Sequence, residues 1–435
     1  MTVSDLTNLF YRNMDAAGLV SGARLAVAVS GGSDSMALVL LANDWAARRG
    51  VELYTITVDH GLRAGSALEA ETVGRWLTVR GMHHDILRWA GPRPDTAIQR
   101  RAREARYDLM AEYCKDRDIH NLLLGHQMED RLETLLMRLS KGSGLEGLTA
   151  IQPLSWRGAL QLLRPLLEVR RQVLRDYLIA NGQEWVEDPS NDNPVYTRTR
   201  VGALLEELQG LPGSSLETIA LSAMRLNRAS DALDQLTMAR LSDFCEVSPF
   251  GFIRFSTEAV TGCPEEIALR FLARIFTDVA GTGQRIRLQA LENLYDRVFR
   301  KDGEGPETLA GCQISRSRGS WLVCREPGRK GLPEQQVTDN RLLLWDGRYR
   351  VEDMTPTAAP ELPLAVRRIG ADGWRVLKAE GLTKEERELP AKVRNNLPAV
   401  WSGEKLVAAP LFSCNFAQSP IAKDRFKMLF KPLIS

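Results

Sequence analysis

The sequence predicts an α/β protein with a doubly wound parallel sheet, followed by a helical domain and a small C-terminal α+β domain. Three observations carry this prediction. From Leu25 to Ser140, short apolar runs alternate with longer helical patterns, the rhythm of parallel strands joined by crossover helices. The first run, Leu25-Ala-Val-Ala-Val29, is apolar throughout, as a strand covered on both faces should be. The runs ending near Ser30, Asp59 and Gly125 each lead at once into a polar turn. In such sheets ligands sit beyond the carboxyl ends of the strands, so the three turns point to one shared site.

Each element follows from local pattern. Residues 3–20 read as an amphipathic helix, with Leu6, Phe10 and Met14 at helical spacing. The Leu25 strand runs through a Ser/Gly turn into an apolar helix. Val51–Val58 is a second strand and ends in Asp59-His60-Gly61-Leu62-Arg63; Ala67–Val79 is helical. His84–Trp89 is a short strand, Thr96–Lys115 a long helix, Asn121–Gly125 a fourth strand and Gln127–Ser140 another helix. After Arg164-Pro165 a helix extends to about Gly182, and Glu187–Pro194 is turn chemistry. Residues 215–242 and 264–280 are helical in pattern, so a new domain starts near Pro212. Gly/Pro-rich stretches at 303–306 and 328–333 are candidate hinges. From Leu342 onward, short strand-like runs alternate with turns. The expected domains are 1–211, 212–330 and 331–435.

The turn Ser30-Gly31-Gly32-Ser33-Asp34-Ser35 has the make-up of a phosphate cradle. Gly31 and Gly32 permit a sharp turn and close approach of a ligand. The serines add hydroxyl donors, and the amides that open the next helix favour an anion. The turn lacks the Gly-Lys-Ser/Thr of a Walker A loop and the third glycine of a dinucleotide fingerprint. It resembles instead the pyrophosphate-binding (PP) loop of the N-type ATP pyrophosphatases. Those enzymes split ATP between its α and β phosphates. Asp34 beside a triphosphate makes sense as a Mg²⁺ ligand, and an aspartate there also caps a helix well.

Gly125-His126-Gln127-Met128-Glu129-Asp130-Arg131-Leu132-Glu133-Thr134 is the second informative segment. On a helix, His126, Glu129 or Asp130, and Glu133 share one face. Met128, Leu132, Leu135 and Leu139 form an opposite, core-facing stripe. The acids suit a second metal, an ammonium substrate, or acceptance of its proton. His60 and Arg63 after the second strand suit charge developing on an α-phosphate. Arg103 and Arg106 share a helix face that fits phosphate or carboxylate.

Taken in order, these segments resemble the tRNA(Ile)-lysidine synthetases. The order is Ser-Gly-Gly-x-Asp-Ser35, Asp59-His-Gly-Leu-Arg63, Ala102-Arg-x-x-Arg-Tyr107, Gly125-His-x-x-Glu-Asp-x-x-Glu-Thr134, Arg138-Leu-Ser-Lys-Gly-Ser-Gly-Leu-Glu-Gly-Leu148, Arg164-Pro-Leu-Leu and Glu187-Asp-Pro-Ser-Asn191. It covers about residues 20–200. Val366-Arg-Arg-Ile-Gly370 and Leu389-Pro-Ala-Lys-Val-Arg394 extend the likeness loosely into the last third.

The resemblance implies ATP-dependent adenylation of the C2 oxygen of the wobble cytidine in a CAU-anticodon isoleucine tRNA. The ε-amine of free L-lysine then displaces AMP and leaves lysidine. A cytosine carbonyl is a poor electrophile and needs a leaving group, and an amine of pKa about 10.4 must shed a proton. By resemblance, Asp34, Arg106, Asp130 and Glu133 are catalytic. Ser30, Gly31, Gly32, Ser33, Asp34, Ser35, His60, Arg63 and His126 bind the nucleotide, and Asp34 and Asp130 hold Mg²⁺. The second and third domains are expected to contact tRNA, and a homodimer is left open. The chain departs from the family at Glu129, where Asp is frequent, and at Thr199 and Gly202, where Asn and Arg are frequent.

Composition narrows the alternatives. A net charge of +2 over 435 residues shows no overall basic footprint, so any RNA-binding face must be local. The six cysteines are scattered without a Cys-x-x-Cys, which predicts neither a zinc site nor a disulfide framework. A 2-thiolating relative needs paired thiols, and only Cys114 falls in the first domain. A non-catalytic nucleotide- or RNA-binding protein would be expected to lose acids that are present here. The start Met1–Leu6 has no charged-then-apolar pattern and no apolar run is long enough to span a bilayer, which predicts a cytoplasmic protein.

Overall fold

The structure is a computed structural model that describes residues 2–59, 61, 65–89, 98–149, 151–187, 197–283, 285–301, 303, 305–329, 331–337, 342–354, 363–414 and 425–431. The chain divides into two compact units, residues 1–230 and 231–435.

The first unit opens with α1 (Val3–Asp15), whose start is fixed by a reciprocal capping box between Thr2 and Asp5. Its apolar stripe, Leu6, Phe10 and Met14, is fully buried, as the spacing predicts. There follow β1 (Arg24–Ala28), α2 (Ser33–Arg49), β2 (Glu52–Asp59), α3 (Ser66–Val79), β3 (His83–Arg88), α4 (Ile98–Asp116), β4 (Asn121–Leu123) and α5 (Met128–Leu139). The unit continues with the single turn α6 (Leu145–Leu148), the hairpin β5 (Leu154–Arg157) and β6 (Leu160–Leu163), then α7 (Arg171–Ala180) and α8 (Thr197–Gln209). Helix α9 (Leu216–Phe244) carries the chain past the division between the units.

The six-stranded sheet has the order β3-β2-β1-β4-β6-β5. All neighbours pair in parallel except β5, which runs antiparallel to β6 at one edge. Side chains alternate across it. Leu25, Val27 and Val29 enter the core formed with α1, α2, α3 and α7, whereas Ala26 joins the core with Tyr107, Met110 and Cys114 of α4. The sheet is thus covered on both faces. From β1 the chain first builds outward through β2 and β3, then returns to place β4 on the other side. The crevice between the exits of β1 and β4 is the topological switch point, where ligands of such sheets bind.

The second unit contains β7 (Cys245–Val247), β8 (Phe252–Phe255), α10 (Glu258–Thr261), α11 (Glu265–Ala280), α12 (Leu288–Tyr295), β9 (Glu307–Leu309), β10 (Cys312–Ser317) and β11 (Ser320–Arg325). The five strands form an antiparallel sheet, β7-β8-β11-β10-β9, in a stretch whose sequence pattern showed its helices. One face, with Ile253, Phe255, Trp321 and Val323, packs on α11 and α12. The other, with Phe252, Leu322 and Cys324, joins the core of the last third. That third holds β12 (Gln335–Gln336), β13 (Leu342–Trp345), β14 (Tyr349–Asp353), β15 (Leu364–Arg368), α13 (Gly370–Ala379), α14 (Lys384–Arg387), α15 (Ala391–Arg394), β16 (Pro398–Ser402), β17 (Lys405–Ala408) and β18 (Phe426–Phe430). Its sheets, β12-β15-β16-β17 and β13-β14-β18, and its helices make the α+β arrangement that the alternating runs predict. Among the described residues no helix is long and apolar enough to cross a membrane.

Candidate active site

The turn after β1 closes on itself. The Ser30 amide donates to Ser35 Oγ at 3.1 Å, and Ser35 Oγ donates to the Gly32 carbonyl at 3.0 Å. Gly31 sits at φ +89°, and a Cβ there would lie 2.8 Å from Val73 Cγ2. Only glycine fits both the left-handed backbone and the packing. The Gly31 carbonyl accepts from the Val186 amide at 2.9 Å, which pins the turn from outside. Gly32 is the N-cap of α2 and offers no side-chain cap. The first amides of a long helix are thereby left for an anion, with the positive end of its dipole behind them.

The exit of β4 packs directly against this turn. A Cβ on Gly125 would lie 3.1 Å from Ser35 Cα, so the two strand ends meet backbone to backbone. Gln127 then caps α5: its side-chain oxygen accepts from the Glu129 amide at 2.5 Å, and Asp130 Oδ2 accepts from the Gln127 amide at 3.1 Å. This reciprocal box fixes the Asp130 carboxylate at the switch point. Asp130 is 8% exposed and Glu133 6%, so both acids on this face are buried rather than solvated.

The residue that unites the site is Arg171, in the first turn of α7. Its Nε lies 3.7 Å from Asp34 Oδ2, and its Nη2 lies 4.0 Å from Asp130 Oδ1. A cation at a helix start opposes the dipole. Here Glu129 answers it, because its carboxylate oxygens accept from the Arg171 amide at 3.2 and 3.1 Å. The glutamate at 129 is therefore spent on capping α7. Burial, helped by the nearby Asp130 and Glu129 charges, pushes the Asp34 carboxyl up to about 6, against the pull of Arg171 and Ser33. The geometry thus gathers two carboxylates and one guanidinium next to an anion-binding turn. It can hold a phosphate chain, a divalent cation between carboxylates, or an ammonium group.

The other expected residues are placed as follows. His126 is partly buried immediately before the α5 cap, and its amide bonds the Leu124 carbonyl at 2.9 Å. Arg106, on α4, is partly buried and lies over the Tyr107 ring at 5.6 Å. Burial works against its charge. His60 and Arg63 lie outside the described residues, as does most of Glu187–Pro194. Gly202 faces the site: a Cβ there would be 4.0 Å from Glu133 Oε1, so glycine leaves open the space beside that carboxylate. Of the apolar stripe on α5, Met128, Leu132 and Leu135 are buried, but Leu139 is 58% exposed. The stripe packs on Leu205 of α8 and Leu216 of α9, which stop short of the last turn.

Sequence reasoning missed Arg171, Gln127 and Arg131. Two consecutive arginines opening a helix, Arg170-Arg171, were the available signal, because that placement demands acidic partners. Arg131 is buried, and Asn227 of α9 accepts from its Nη2 while donating to the Thr149 carbonyl at 3.2 Å. Among the described residues no group of three or more His, Cys, Asp or Glu side chains converges as a protein-only metal cage.

An uncapped Ser/Gly turn at the switch point of a parallel sheet, faced by buried acids, defines a nucleotide-binding α/β protein. Residues 5–208 match the family described as PP-loop domain. Over longer spans the chain is 34% identical across 388 residues to the tRNA(Ile)-lysidine synthase of Ruegeria pomeroyi, covering 89% of this chain and 88% of that one. It is 33% identical across 347 residues to that of Wolbachia pipientis wMel, covering 78% and 79%. It is 38% identical across 313 residues to that of Hyphomonas neptunium, covering 71% and 82%. The chain belongs to the tRNA(Ile)-lysidine synthase family.

Proposed function

We propose that the protein is an ATP-dependent ligase that converts the wobble cytidine of a CAU-anticodon isoleucine tRNA to lysidine. The observation that carries the reading is the meeting of Asp34, Asp130 and Arg171 at the switch point, directly beside the Ser30–Ser35 turn. The cytosine C2 oxygen attacks the α-phosphorus of ATP, and the bond to the β-phosphate breaks to release pyrophosphate. The ε-nitrogen of lysine then attacks C2, the C2–oxygen bond breaks, and AMP leaves with that oxygen. The ammonium sheds one proton to become the nucleophile, and its nitrogen sheds a second as the C2–N bond forms and AMP departs.

The residues divide this work. Ser30, Gly31, Gly32, Ser33 and Ser35 cradle the phosphates, with His60, Arg63 and His126 along the nucleotide. Asp34 and Asp130 fit Mg²⁺: they are hard oxygen donors held close enough to repel one another, and this ion commonly takes one or two carboxylates plus phosphate oxygens. When bound, Mg²⁺ would neutralise charge on the phosphates and on departing pyrophosphate. Asp130 and Glu133 hold the lysine ammonium and take its proton, and Arg106 steadies the adenylated base. Regions 212–330 and 331–435 contact tRNA. The free thiols fit a reducing cytoplasm. Thiolation chemistry is disfavoured, because burial pushes the Cys114 thiol up to about 12 and so suppresses its thiolate.

The test is an assay with ATP, radiolabelled lysine and unmodified isoleucine tRNA bearing CAU, with elongator methionine tRNA as control. Label entering only the isoleucine tRNA, with release of AMP and pyrophosphate, is the expected result. Pyrophosphate without lysine transfer would leave the adenylation site standing and overturn the second substrate. Neither event, with folded protein and Mg²⁺, would overturn the ligase.

A further inference from the structure

A second cationic centre stands apart from the nucleotide turn. Tyr107 of α4 is buried, and three guanidinium groups surround its ring: Arg103 at 5.6 Å, Arg106 at 5.6 Å and Arg157 at 5.5 Å. Arg164 approaches the same tyrosine from the end of β6. It is held there by bonds from Nη1 to the Gln152 carbonyl at 3.0 Å and to Ser155 Oγ at 2.9 Å. Arg157 is tied to Asp108. Like charges this close repel each other, and burial of Arg106 and Arg164 adds to the cost. The Nε atoms of Arg106 and Arg164 are buried without a hydrogen-bond partner among the described residues. Four guanidinium groups gathered around one ring, two of them partly buried, favour an anion among them.

Its place says which anion. Helix α4 must carry the chain from the carboxyl end of β3 back to the amino end of β4, so its early turns, with Arg103 and Arg106, lie at the carboxyl edge of the sheet. Arg164 leaves β6 at that same edge. Arg157 stands on β5 opposite Leu160, at the amino end of β6 and three strands from β1 in the order β1-β4-β6-β5, and its side chain reaches back to the Tyr107 ring. At roughly 4.8 Å per strand spacing, β5 is on the order of 14 Å from the strand that feeds the nucleotide turn. Phosphates held by Ser30–Ser35 belong to ATP, so a phosphate at this distance belongs to the other phosphate-bearing substrate.

We propose that Arg103, Arg106, Arg157 and Arg164, arranged around Tyr107, clamp a backbone phosphate of the RNA substrate. This rests on the function proposed above. The clamp fixes the strand next to the reacting base, with Arg106 facing the chemistry and Arg103 and Arg157 forming its outer jaw. It also explains how a chain of net charge +2 meets a polyanion: the positive charge is concentrated rather than spread.

The test uses the full-length protein with Arg103→Gln, Arg157→Gln and the double variant, and Arg75→Gln on α3 as an exposed control. Filter binding of unmodified isoleucine tRNA is measured over a salt series, and KM for ATP is measured in parallel. The double variant should bind tRNA roughly tenfold more weakly, and its log affinity against log salt should be shallower by about one unit of slope. KM for ATP should hold. Arg157→Lys, which keeps the charge, should retain the wild-type slope. Unchanged affinity and slope in the double variant would overturn the clamp alone. A raised KM for ATP with unchanged tRNA binding would give the cluster to the nucleotide and overturn the RNA assignment. Wild-type protein that bound no tRNA would overturn the functional reading, and the clamp with it.

Discussion

Asp34 faces opposing demands. In the role proposed for it, beside a cation and a phosphate chain, it must be charged, yet burial and two neighbouring acids hold its carboxyl at about 6. Protonation below that value removes the charge the site needs. The kcat/KM for ATP should therefore fall as pH drops through about 6, well above the ordinary carboxylate range. Arg171 works against this, so Arg171→Met should move the acid limb to higher pH and Arg171→Lys should move it back. An acid limb that stays put in both variants would mean that another group governs it. The same residue sets a stability signature. Its folded value is raised above the ordinary 3.8, so keeping Asp34 charged costs stability. Wild type is least penalised below about pH 4 and loses stability as pH rises through about 6. Asp34→Asn, without ligand, should be more stable than wild type at pH 8 by up to about 3 kcal/mol and equal to it near pH 4. Denaturant midpoints at the two pH values decide this, and an equal gap at both would refute it.

At the scale of elements, much of the first unit was legible because local signals agreed. β1, β2 and α5 have strong apolar patterns, and their boundaries in the structure fall within a few residues of those read from sequence, while α2 forms where an apolar helix was expected to follow the turn. The β5–β6 hairpin was not legible. Its strands are short, and Trp156, exposed at 62%, sits where an alternation rule expects cover. The strands β7 to β11 were hidden for a related reason: Cys312-Gln-Ile-Ser-Arg-Ser317 mixes polar and apolar residues so that only its neighbours reveal its faces. The tight turn at Ser30–Ser35 was legible because glycine and serine announce a backbone conformation. Arg171 was not, because its role depends on α7 starting beside α5, a tertiary fact. The same holds for Arg131 of α5 and Asn227 of α9, which lie far apart in sequence and meet out of solvent. Asn227→Leu would bury the guanidinium without its acceptor. A loss of about 1–3 kcal/mol is expected, with a raised KM for lysine if α5 shifts Asp130 and Glu133. Unchanged stability would show that the pair is dispensable.

At the scale of the whole molecule, the cores are partitioned. The clusters built on β1 and α2, on α4, and on α5 with α8 lie within residues 1–230, and those built on α11 and on β15–β17 lie within 231–435. Cooperative unfolding follows shared cores, so two such units need not melt together. ATP offers a handle, since the turn and the acids proposed to bind it all belong to the first unit. A ligand that binds only the folded state stabilises what holds it, by about 2.7 kcal/mol at a hundredfold excess over Kd. Calorimetry of the full chain should show two transitions, with ATP and Mg²⁺ raising one and leaving the other in place. The continuous helix α9 is the feature most able to defeat this, because it belongs to both units and could transmit cooperativity along its backbone. A single transition that ATP moves as a whole would mean that α9 couples the cores. In that case a helix break at Ser230, by Ser230→Pro, should split the transition in two.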